Sequence, residues 1–203
     1  MIDISAYIES GIIDMYVWGI ASPEECAEIE KMAANHPEVK AAIDAFGESI
    51  ENFAMANPIA PTVTVKPFIM ATIDYTDRLE KGEAPSFPPI IHEHSQINDY
   101  AEWLNRPDMV LPEGITDIYA KIIGYTPEAT TIIVWIKDYA PQEVHHVEYE
   151  KFLIVEGSCD ITIGSEVHTL LPGSVLSIPL YENHNVKITS SIPCKIVLQR
   201  IAA

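Results

Sequence analysis

Basic residues are scarce in this chain of 203 residues: 12 lysines and arginines stand against 30 aspartates and glutamates, a net charge of −18. A surface of that sign repels a phosphate backbone, which argues against direct nucleic-acid binding, and it suits a basic protein partner through opposed potentials. Cysteine is sparse as well. Cys26, Cys159 and Cys194 are odd in number, far apart and without a Cys-x-x-Cys pair, so neither a disulfide framework nor a cysteine-based zinc site is expected. Long apolar runs are missing: the stretch from Thr131 to Ile136 falls far short of the roughly 20 residues that a membrane helix needs. The acidic start lacks the basic end and apolar core of a secretory signal. No internal repeat or low-complexity tract occurs. These absences lead us to expect a cytoplasmic protein in reducing surroundings, with no membrane partner. What is abundant is apolar surface to bury, with 48% of residues hydrophobic.

The hydrophobic period changes along the chain. Up to about residue 80 it is helical. Ser22-Pro23-Glu24-Glu25 is a capping box with proline at the first helical position. Asn35-His36-Pro37-Glu38 starts another helix, along which Val39, Ile43, Phe46, Ile50 and Phe53 form one apolar stripe. A single amphipathic segment is predicted before them, from Tyr7 to Ile20, and a fourth from Thr64 to Arg78. Residues 81–96 are rich in proline and read as an extended spacer. From residue 97 the period becomes two. Short strands are predicted at Ile118–Tyr125, Thr130–Ile136, Lys151–Val155, Asp160–Ile163, Glu166–Leu170, Val175–Ile178, Val186–Ile188 and Lys195–Leu198, with one helix near Asn98–Leu104. The expected fold is α+β in two domains: a small all-α helical bundle over 1–80, a linker over 81–96 and an all-β barrel over 97–203.

Two motifs in the second half carry a family resemblance. Glu150 followed after six residues by Gly157, and Gly173 followed by Pro179 and His184, resemble the two motifs of cupins, small jelly-roll barrels. In metal-binding cupins a His-x-His pair, a glutamate and a later histidine converge on one divalent ion. The resemblance therefore implies Glu150 and His184 as ligands of Zn, Mn, Fe or Ni, together with the histidines of Gln142-Glu143-Val144-His145-His146. The His-x-His is broken here. A three-residue gap before Glu150 makes the pair Val144 and His146; a four-residue gap makes it Glu143 and His145. Strand alternation favours His146, because residues 146, 148 and 150 share a face, whereas a bulge would let His145 in. The candidate metal residues are thus His145, His146, Glu150 and His184, and a barrel that has lost its ion remains the other reading. His168 reads as a surface residue, and His92 and His94 as solvated linker positions.

The first half resembles bacterial anti-sigma domains. An apolar helix ending near Tyr16-Val17-Trp18-Gly19, then Ser22-Pro23-Glu24-Glu25, then His36-Pro37-Glu38-Val39 follows their usual order. Zinc-carrying members use His-x3-Cys-x2-Cys, and Met32, His36 and Val39 occupy those places here. One histidine cannot anchor a structural zinc; Met32 and Val39 are expected to pack directly instead. Together the halves resemble ChrR-like anti-sigma factors. That resemblance implies an extracytoplasmic-function (ECF) sigma factor as partner, held by the helical half, and a cupin that senses a small-molecule effector or metal, or stabilises the rest. Residues 1–95 carry 16 acidic and 5 basic residues, a net charge of −11, which suits a basic target. Tyr7, Met15, Tyr16, Trp18, Phe68, Ile69 and Ile73 are the expected interface candidates. The rival expectation is a metal-dependent cupin enzyme, a dioxygenase or isomerase, with the helices serving to form a homodimer.

Overall fold

The computed structural model describes residues 3–203, which divide into two compact units, one up to Ala60 and one from Pro61 to Ala203. The first is helical: α1 (Ile4–Ile8), α2 (Ile12–Val17), α3 (Pro23–Asn35) and α4 (Pro37–Ala56). The single segment predicted before Ser22 is broken in two at Gly11, whose φ of 83° lies in the left-handed region that glycine tolerates. The capping box forms as expected: Ser22 Oγ accepts from Glu25 N at 3.2 Å, and Ser22 N donates to Glu25 at 2.8 Å. Ile13, Met32 and Val39 make the buried core of this unit, so two of the zinc positions do close on apolar packing. That core reaches only the first part of α4. Beyond Ile50 the helix is exposed along its whole length, Phe53 (69% exposed) and Met55 included.

The second unit begins with α5 (Val65–Glu80), and here the expected domain boundary at residue 80 is corrected. Ala71 and Tyr75 are buried in the barrel core, Phe68 and Leu79 pack against it, and α5 lies along the first strand. Its apolar face at steps of three and four therefore serves the barrel and not the helical bundle. A single turn of 3₁₀ helix (Ile97–Tyr100) runs into a short α6 (Ala101–Leu104).

Nine strands follow: β1 (Ile118–Tyr125), β2 (Ala129–Ile136), β3 (Tyr139–Glu143), β4 (Glu148–Glu156), β5 (Cys159–Ile163), β6 (Glu166–Leu170), β7 (Val175–Ile178), β8 (His184–Ile188) and β9 (Cys194–Ala202). They form two antiparallel sheets in the orders β1-β2-β9-β4-β7 and β3-β8-β5-β6. The strand missed in the sequence is β3. Pro141 and the lack of clean alternation hide it, and it survives because it lies at a sheet edge, where proline costs no ladder bond.

Alternation sorts the five-stranded sheet into two buried faces. Ile132, Val134, Ile136, Phe152, Ile154, Ile196 and Leu198 point into the sandwich; Ile133, Trp135, Leu153 and Val197 point out. The outer face is covered by the segment from Glu83 to Leu111, whose part up to residue 96 the proline count reads as a spacer. This strap buries Ile91, Tyr100, Trp103 and Met109 against the sheet. Gln199 in β9 fastens it: its Oε1 accepts from Ile91 N at 2.6 Å, and its Nε2 donates to Pro89 O at 2.8 Å and Thr131 Oγ1 at 3.0 Å. Gly124 makes room for it, since a Cβ there would lie 2.3 Å from Pro88 Cδ. At the rim Lys121 and Arg106 pair with Asp108 and outweigh its burial, holding its carboxyl at about 2.

Candidate metal centre

Strand register brings the polar residues together. Glu143 at the end of β3 faces His184 at the start of β8, while Glu150 on β4 faces Arg200 on β9. Cross-strand partners share a sheet face, and both pairs turn into the sandwich from opposite sheets. His145 comes from the irregular loop 144–147. Its carbonyl accepts from Tyr181 N at 2.8 Å, and Tyr181 has a φ of 64°, in the left-handed region.

The resulting cluster is tight and mostly buried. Glu150, 3% exposed, lies with Oε2 at 3.2 Å from His184 Nε2 and Oε1 at 3.4 Å from His145 Nε2, and Oε1 accepts from Arg200 Nε at 3.0 Å. Glu143 Oε2 is 3.8 Å from His145 Nε2 and 3.6 Å from Arg200. The aromatic ring of Phe68 sits 4.6 Å from the Arg200 guanidinium. Burial would push the Glu150 carboxyl up, but His145, His184 and Arg200 together hold it below the usual carboxylate range. Glu150 in turn raises the pKa of His145 against the opposing effect of burial. Both ring nitrogens of His184 face acceptors: Nδ1 lies 3.4 Å from the Glu182 carbonyl and Nε2 lies 3.2 Å from Glu150 Oε2.

The side chains present fit a divalent ion. Donor atoms of Glu143, His145 and His184 all lie within 4.8 Å of one another, and His145 Nε2 is buried without a hydrogen-bond partner. Two histidines and a carboxylate suit a first-row metal with water completing its shell. The cavity beside them is small, about 40 Å³, bounded by Phe68, Ile136, Phe152 and Leu198 as well as Glu143 and Arg200.

Of the candidates read from the sequence, His145, Glu150 and His184 converge and His146 does not. The expectation drawn from alternation is corrected: β4 begins only at Glu148, so the loop before it breaks the period. His146 points to the surface, its ring 5.4 Å from that of Tyr181. The four-residue gap is the register that forms, which makes Glu143 the first position of the broken pair. Arg200 was missed altogether; nothing local marks it apart from a charge within an apolar strand. His92 and His94 are exposed, as expected.

Residues 132–199, which run from β2 to β9, match the Cupin domain family. This part of the chain is a cupin domain. Similar solved structures include the cupin domain of Cnp3 from Schizosaccharomyces pombe, at 11% identity and a TM-score of 0.42, covering 44% of this chain and 67% of that one. KdgF from a Halomonas species has 18% identity and a TM-score of 0.40, covering 44% of this chain and 84% of its own. A protein described as a predicted oxalate decarboxylase from Thermotoga maritima has 13% identity and a TM-score of 0.41, covering 42% and 81%. No curated protein matches the sequence. No helix among the described residues is long and apolar enough to cross a membrane.

Proposed function

We propose that the protein is a transcriptional regulator of the anti-sigma type: its helical unit sequesters an ECF sigma factor, and its cupin domain modulates that grip by holding a divalent ion or a small effector. The observation that carries this reading is α4. It outruns its own bundle and presents Phe53 and Met55 to solvent, in a unit with eleven acidic residues and two basic ones. A large apolar side chain left bare on an acidic helix suits a partner that is apolar at its centre and basic at its rim. Trp18, 60% exposed, is a second such anchor, and Ile69 and Ile73 stand exposed on α5. Tyr7 instead packs into the bundle core.

In the cupin domain Glu143, His145 and His184 would hold the ion, which supplies fixed positive charge when bound. The alternative reading, a metal-dependent cupin enzyme, rests on that same donor set. It is the weaker one because the His-x-His pair of metal-binding cupins is broken here, with Glu143 in the first histidine's place.

The test is co-expression of the full chain with an ECF sigma factor encoded beside its gene, followed by size exclusion. The wild type is expected to co-elute with the sigma factor and Phe53→Asp to lose it, with the far-UV spectrum unchanged. Failure of the wild type to bind overturns the proposal.

A further inference from the structure

We propose that Arg200 is a resident cation of the cupin site, one that competes with a divalent ion for Glu143 and Glu150. The inference rests on the reading of Glu143, His145 and His184 as metal ligands.

Glu150 is nearly inaccessible to water, and a carboxylate so placed needs a counter-charge. Arg200 Nε supplies it at 3.0 Å. The same guanidinium reaches toward Glu143 at 3.6 Å, beyond hydrogen-bond length, so it spans the two carboxylates while saturating only one. Glu143, His145, Glu150 and His184 fill the four positions of the cupin motif, and a cation bound among all four would meet the Arg200 charge at the Glu150 carboxylate. Both cannot be served at full strength by the same oxygens. Arg200 therefore lowers the affinity of the site, weakening Glu143 as a ligand and taking Glu150 out of the set, so that the ion is left with Glu143, His145 and His184.

The structure also holds Arg200 in place and gives it somewhere to go. Phe68 lies over the guanidinium at a distance where the ring face attracts a cation. Arg200 is 23% exposed, and beside it an open recess is lined by Thr62, Val65 and Val144 together with Glu143 and His145. Withdrawal into that recess would free Glu150, the carboxylate that Arg200 saturates, without unfolding the strand. Because Phe68 belongs to α5, the position of that helix and the occupancy of the site are coupled through this one contact.

The experiment is competition calorimetry with Zn²⁺ alone on the metal-free full chain, using His184→Ala to define binding at the site. Arg200→Met is expected to bind at least tenfold tighter than the wild type, and Arg200→Lys, which keeps the charge, within about threefold of it. A purely structural role for Arg200 would give the opposite sign, since a damaged site binds more weakly. Equal or weaker binding by Arg200→Met overturns the competition and leaves the metal site standing. Binding by none of the variants beyond the His184→Ala level overturns both. Should Arg200→Met not fold, Phe68→Ala carries the test: it releases Arg200 without removing it and is expected to gain about threefold, and no gain overturns the proposal.

Discussion

Glu150 is the residue on which most of the barrel's buried charge converges. Replacing it by glutamine breaks the Arg200–Glu150 pair and leaves two histidines and an arginine with Glu143, 3.6 Å from Arg200, as the remaining carboxylate of the cluster. Breaking a buried pair in this way costs about 3–5 kcal/mol, and Glu150→Gln is expected to show that loss in its urea midpoint. The pH dependence follows from two opposed shifts. The Glu150 carboxyl is held below its ordinary 4.5, so its contribution is complete above that value and is lost as the pH falls toward the lower folded one. His145 is held above its ordinary 6.5, so its contribution is complete below that value and is lost as the pH rises through the folded one. The cluster contributes most between about 4.5 and 6.5. Because Glu150 is the main cause of the His145 shift, Glu150→Gln should flatten both limbs of a plot of midpoint against pH.

At the scale of the element, the strap shows what patterning alone conveys and what it leaves out. Proline density between Glu83 and Pro89 correctly forbids a helix, but it cannot say that the extended chain is bound to a sheet. The signal lies elsewhere, in the strands: Ile133, Trp135, Leu153 and Val197 are apolar on the face that alternation would leave wet, so something must cover them. Gln199 is the side chain that secures the cover. Gln199→Ala would leave the buried Ile91 N–H without a partner, which costs about 1–3 kcal/mol, and hydrogen exchange should show the strap opening ahead of the strands beneath it. The site is legible to a similar degree. Glu150, Gly157 and His184 can be read from motif spacing, and so can the choice between two registers. Choosing correctly requires knowing that β4 starts at Glu148, and Arg200 becomes visible only when β9 is paired with β4, fifty residues away in sequence.

For the whole molecule, the main revision concerns α5, whose helical period associates it with the bundle and whose buried face belongs to the barrel. Residues 61–203 are therefore expected to fold and melt cooperatively. A chain starting at residue 82 loses the burial of Phe68, Ala71, Tyr75 and Leu79, on the order of 5 kcal/mol at about 1.5–3 kcal/mol per large side chain. A comparison of the two fragments by calorimetry checks this: equal melting temperatures would return the boundary to residue 80.

The place of β9 has a consequence for biogenesis. It is the last strand in chain order, yet it lies at the centre of the five-stranded sheet, between β2 and β4. Until it leaves the ribosome those two strands have no partner between them, the strap has no Gln199 to bind and Glu150 has no Arg200. The β1–β2 and β4–β7 pairs and the β3-β8-β5-β6 sheet need no β9, but the five-stranded sheet cannot be completed before it emerges. Until then β2 and β4 carry open apolar edges of the kind that aggregate.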